Sequence, residues 1–143
     1  MVDVAISSLT QIKKELSIVA AKSAKKNEPI IKAMNTAKLY SGKDSNDDDI
    51  FPEYTETTIE LKKLAGQPFN RVTLNDIGRF YRDFFVNAEE GDYEIDSKNP
   101  KRNKLAKKYG EDIFGNTEKD EETINKEYIL PDLIEYCIEN IRI

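Results

Sequence analysis

The chain has no histidine, no tryptophan and a single cysteine, Cys137, in 143 residues. Without histidine the commonest general base and metal ligand are missing, so neither a Ser-His-Asp nor a Cys-His nucleophile can be assembled. One thiol excludes an internal disulfide framework and a cysteine-based zinc site. No cofactor and no metal ion is therefore expected, and only carboxylate, lysine or tyrosine chemistry is left to an enzyme. The sequence also lacks a run of 18 apolar residues and an apolar leader with a small-residue cleavage site, so neither membrane insertion nor signal-peptide secretion is expected. The few glycines are spread as turn and cap residues, with no phosphate-cradling cluster.

What is present is charge and a moderate aromatic content. Acidic residues outnumber basic ones, 27 against 22, for a formal charge of −5, which argues against a broad nucleic-acid grip built on clustered lysine and arginine. Seven tyrosines and six phenylalanines supply core material, so the chain reads as one globular domain over residues 1–143 rather than a disordered one.

Apolar periodicity orders that domain. Ser8 and Gln11 have the capping-box form, predicting a helix start at Ser8, with Leu9, Ile12, Leu16, Val19 and Ala20 on one stripe. Residues 1–7 precede it as an N-terminal arm in which Val2, Val4 and Ile6 alternate, a pattern suited to edge pairing with a sheet in another protein. The rival reading packs Val4 and Ile6 on their own chain. Pro29 opens a second helix that Ser41-Gly42 stops. Residues 42–49 carry four aspartates and nothing to bury. Their spacing misses the EF-hand pattern, and a solvated acidic loop is the better account.

Thr55 or Thr57 caps a third helix, closed by Gly66 and Pro68 and packed through Ile59, Leu61 and Leu64. Phe80, Phe84 and Val86 then share one face at period two, interrupted by Arg82, with Tyr81 and Phe85 on the other. After a turn at 89–92, Tyr93 and Ile95 return toward the core. This predicts a central β-hairpin with Phe84 in the core, packed against the helix that carries Ile59 and Leu64; a helix starting at Gly78 fits the same residues. Pro100 opens and Gly110 closes a short basic helix, and an amphipathic helix over residues 121–143 carries Ile124, Tyr128, Leu130, Leu133, Ile134, Cys137, Ile138 and Ile141, with a kink at Pro131. Cys137 on that stripe reads as a small buried hydrophobe. The expected class is α+β: N-terminal helices, a central antiparallel hairpin or small sheet, and a C-terminal amphipathic helix.

Neighbouring carboxylates such as Glu111-Asp112 and Glu89-Glu90 usually point apart, so they do not form a convergent catalytic pair. The string from Tyr54 to Pro68, the string from Arg71 to Tyr81 and the run Lys108 to Gly115 resemble small virion proteins of tailed bacteriophages, in particular those of phages of Bacteroidetes, and more distantly the tail-completion or virion-morphogenesis group. Thr58 and Lys62 match that group's helix, Gly66 and Pro68 its loop, Leu74 and Gly78 its turn; Ile77 stands where the group has threonine, and the group's later histidine is absent.

The resemblance implies a non-enzymatic structural protein of the particle, a head-tail connector, neck or tail-completion ring subunit. It would assemble in the host cytoplasm and reside in the virion. Implied partners are other copies in a ring and portal, neck or tail proteins, with DNA passing nearby but no sequence-specific contact. Val2, Val4, Ile6, Lys101, Lys104, Lys107 and Lys108 are the candidate docking residues. The alternative is a small phage-encoded regulator or binding protein acting on a host component through the acidic loop.

Overall fold

The computed structural model describes residues 2–76, 78–89 and 91–140. Ile77, Glu90 and Ile141, which entered the sequence reading, lie outside them. The fold is α+β. Helices α1 (Val2–Lys26) and α2 (Glu28–Tyr40) are followed, after a loop, by α3 (Glu56–Leu64) and α4 (Arg79–Arg82). Strands β1 (Phe84–Glu89) and β2 (Asp92–Ser97) form an antiparallel hairpin with Val86 opposite Ile95. Helix α5 (Arg102–Tyr109), a 3-10 turn at Glu111–Ile113, α6 (Glu118–Ile124), a π-helical segment at Asn125–Ile129 and α7 (Leu130–Asn140) complete the order.

The N-terminal expectation is corrected. Helix α1 begins at Val2, so residues 2–7 are not an extended arm and Ser8 lies inside the helix rather than capping it. The segment contains no proline or glycine to break a helix, and Thr10 Oγ1 donates to the Ile6 carbonyl at 2.9 Å across one helical turn. Helical geometry sets Val2 and Val4 about 200° apart, which breaks the period-two edge. At the other end, Asn27 Nδ2 donates to the Ser23 carbonyl at 2.8 Å, and Pro29 sits in the first turn of α2, where its missing N–H costs nothing.

The core gathers around the hairpin. Phe84 meets Phe80 edge-on at 4.9 Å and Phe114 at 6.1 Å, with Val86, Ile95, Ile31, Leu39 and Ile113 also buried. The predicted first strand is shorter than expected. Gly78 at φ 79°, a left-handed conformation glycine adopts freely, leads into α4, so Phe80 sits in a helical turn and the strand starts only at Phe84.

Helix α3 is capped by Thr55, whose Oγ1 accepts the Thr58 N–H at 3.3 Å. It does not pack as expected: Ile59 is half-buried, while Leu61 and Leu64 are 62% and 85% exposed. Polar ties hold it instead, Lys62 Nζ donating to the Asn75 carbonyl at 2.8 Å and Gln67 Nε2 to that of Asp76 at 2.5 Å.

The C-terminal helical run starts at Glu118, where Thr117 caps it by accepting the Asp120 N–H at 3.3 Å. The predicted disturbance at Pro131 takes the form of the π turn just before it. Proline has no N–H and crowds the carbonyl four residues back, and wider winding over Asn125–Ile129 relieves both.

Candidate docking surface

The C-terminal half of α1 belongs to the body. Ser23 Oγ donates to Asp132 Oδ2 on α7, and Lys26 Nζ reaches the same carboxylate at 2.8 Å. These two donors, Lys26 first, hold the Asp132 carboxyl below its ordinary range. Two turns nearer the N-terminus, Tyr136 Oη donates to Glu15 Oε2 at 2.7 Å, which lowers the Glu15 carboxyl and raises the phenol. Ser23 meeting Asp132 and Glu15 meeting Tyr136 makes the two helices antiparallel, with the C-terminal end of α7 pointing toward the N-terminal half of α1.

Beyond Glu15 the helix runs out of partners. Every residue from Val2 to Gln11 is exposed, including Val2, Ile6 and Leu9 at 71, 57 and 66%. On a helix of 3.6 residues per turn these three lie on the same face as Leu16, Ala20 and Ala24, the face that packs into the body further along. The apolar stripe is thus covered at one end and bare at the other, with the exposed Lys13 interrupting it between Leu9 and Leu16. Val4, 69% exposed, lies off it.

Helix α7 carries a second bare stripe. Leu130, Ile134 and Ile138, four residues apart, are 46, 50 and 76% exposed, although the sequence reading placed them on a core face. Leu133 packs against the core on the adjacent side of α7, and Cys137 there is half-buried rather than buried. Glu135 and Glu139 flank the stripe and are exposed.

The predicted basic face is displayed in full. Lys101, at the N-terminal boundary of α5, and Lys104, Lys107 and Lys108 are all exposed, and among the described residues none of them is in an ion pair. Arg102 has turned inward from that cluster. It grips Glu111 with two nitrogens at 2.8 and 2.7 Å, reaches Asp96 at 2.8 Å and covers the Phe114 ring at 4.5 Å, so it fastens α5 to the hairpin and the 3-10 turn. The predicted docking residues therefore sit on two separate elements, α1 and α5. The sequence reading missed the α7 stripe as a surface; its i, i+4, i+8 spacing beside a second apolar row was the available signal.

The acidic loop spends much of its charge internally. Asp44 Oδ1 accepts the N–H groups of Asn46 and Asp48 at 2.9 and 3.1 Å, and Lys43 pairs with Asp49 at 2.7 Å. Among the described residues no group of three or more Asp, Glu, Cys or His is placed to hold a metal ion, and no helix is long and apolar enough to cross a membrane.

Two of the cavities among the described residues are lined by lysines. One of about 580 Å³ between α3 and α5 mixes Leu61, Leu105 and Tyr109 with Lys62, Arg79 and Asp83, and Lys62 is already committed to Gln67 and Asn75. The other, of about 770 Å³, is lined by Lys38, whose ammonium donates to the carbonyls of Ile113, at 3.1 Å, and Gly115. Burial lowers that ammonium to about 8 against the pull of Asp44, Asp112 and Asp120, but its donors point at backbone and not at the cavity's contents. Neither cavity gathers a nucleophile with a base.

Comparison of the chain with protein-family models, with curated proteins and with solved structures gave no match in any of the three.

Proposed function

We propose that the chain is a non-enzymatic assembly subunit of a bacteriophage particle, of the connector, neck or tail-completion kind, and that it docks through α1, α7 and the lysine face of α5. The single observation that carries this reading is the bare half of α1, whose apolar face continues a stripe that the same helix buries further along. A helix of this length keeps such a face in water only at a cost, and a partner that covers it recovers about 25 cal/mol per Å² of apolar area. The four exposed lysines add a charged face able to set register against acidic neighbours. The host-directed alternative draws less support, because Asp44 and Asp49 of its acidic loop are already engaged within the loop.

Quantitative mass spectrometry of purified particles tests the proposal. The chain is expected at a fixed stoichiometry, and Lys104→Glu/Lys107→Glu/Lys108→Glu is expected to reduce it while circular dichroism shows an unchanged fold. Its absence from particles would favour the alternative.

A further inference from the structure

The two bare stripes match one another. Val2 to Leu9 on α1 spans about 10 Å and Leu130 to Ile138 on α7 about 12 Å at ~1.5 Å per residue. Each offers three large aliphatic side chains one turn apart. Their flanks carry opposite charge, with Lys13 and Lys14 following Leu9 and with Glu135 and Glu139 beside Ile134 and Ile138, all but Lys26-bound Asp132 on these flanks being free of ion pairs among the described residues.

We propose that the occupant of each stripe is a second copy of this chain: the bare half of α1 lies along the partner's α7, and the partner's α1 does the same in return, about a two-fold axis. This rests on the assembly reading above and names its first contact. The antiparallel α1–α7 pair within one copy fixes the direction. A two-fold axis across the helices reverses α1, which then runs parallel to the partner's α7. Val2 meets the partner's Leu130, Ile6 the partner's Ile134 and Leu9 the partner's Ile138. Lys13 and Lys14, one turn on, reach toward the partner's Glu139 and the partner's Glu135.

The result is a four-helix bundle with a self-complementary interface. Reciprocity matters to its size: each stripe alone is small, and burying both stripes of both copies brings the patch toward the roughly 1,200 Å² of a specific interface. Slippage is opposed in both directions: sliding α1 toward the end of α7 carries the lysines away from both glutamates, and sliding it toward the start carries Val2 past Leu130 and leaves Ile138 without an apolar partner.

Disulfide trapping tests it in the full chain. In a Cys137→Ser background, one preparation carries Leu9→Cys and another Ile138→Cys. Mixing the two and oxidising mildly is expected to give a covalent dimer, with none from either preparation alone; no cross-link in the mixture, or equal cross-linking in all three samples, overturns the pairing. Lys13→Glu/Lys14→Glu is expected to weaken the dimer at least about tenfold by sedimentation, and Glu135→Lys/Glu139→Lys to restore it in the combined variant. Unfolding temperatures of every variant separate lost pairing from lost fold. A chain that is monomeric at micromolar concentration yet enters particles normally sinks this pairing and leaves the assembly reading standing; a chain that dimerises as described yet is absent from particles does the reverse.

Discussion

Glu28 accepts the backbone N–H of Val86 at 2.7 Å, and this contact ties the joint between α1 and α2 to the outer edge of the hairpin. Lys25 completes it, donating to the Val86 carbonyl at 2.9 Å and to Glu28 at 2.7 Å, so both backbone groups of one edge residue are met by side chains. An unpaired strand edge invites pairing with another chain, and here the edge is closed from within.

The acid response of the fold follows from the same carboxylate. Burial alone raises the Glu28 carboxyl, but the Lys25 ammonium and the Val86 N–H outweigh it and hold the group below its ordinary value. A depressed carboxyl stabilises the fold fully above the unfolded value of about 4.3, and that contribution disappears as pH falls through the folded value. Unfolding free energies measured between pH 7 and pH 3 are expected to fall less steeply for Glu28→Gln than for the wild type. Parallel curves would contradict the role.

Lys38 acts in the opposite range. Its ammonium is lowered by burial to about 8, so between pH 8 and pH 10 the unfolded chain holds a proton that the folded one has released, and stability from this group rises with pH. Above pH 10 the phenols of Tyr81 and Tyr93, held high by burial, pull the other way. Chemical denaturation at pH 7.5 and pH 9.5 is expected to show the rise in wild type and its loss in Lys38→Met. A wild-type curve that is flat over this range contradicts the assignment.

The core and α3 make contrasting demands. Phe84 is 2% exposed among three aromatic neighbours, so Phe84→Ala is expected to cost about 3 to 5 kcal/mol. Leu64 is 85% exposed, and Leu64→Ser is expected to stay within about 0.5 kcal/mol. Urea unfolding of both variants decides; a large loss at Leu64 would mean that α3 packs as its periodicity first suggested.

That contrast shows where the sequence was readable. Pro29, Thr55, Gly110 and Pro131 act through backbone chemistry that is local, and each marks the boundary or disturbance expected of it, whereas Pro100 lies two residues ahead of the helix it was expected to open, because α5 begins at Arg102. Arg79 to Arg82 was ambiguous because four residues are too few to separate period 2 from period 3.6, and Phe80 and Phe84 satisfy both. Periodicity also shows which face of a helix is apolar without showing whether anything covers it. Leu61 and Leu64, the Val2–Leu9 stripe and the Leu130–Ile138 stripe all read as core faces or arms, and only tertiary placement left them bare. The contacts that fix α1 against α7, Glu15 with Tyr136 and Ser23 with Asp132, join residues more than a hundred positions apart and leave no local trace.

The central claim is that the first half of α1 serves a partner rather than its own fold. Sedimentation equilibrium run beside thermal unfolding on Ile6→Asp/Leu9→Asp tests it most directly. The expected result is an unchanged unfolding temperature for the isolated subunit with self-association lost; a lowered unfolding temperature with self-association intact would contradict the account.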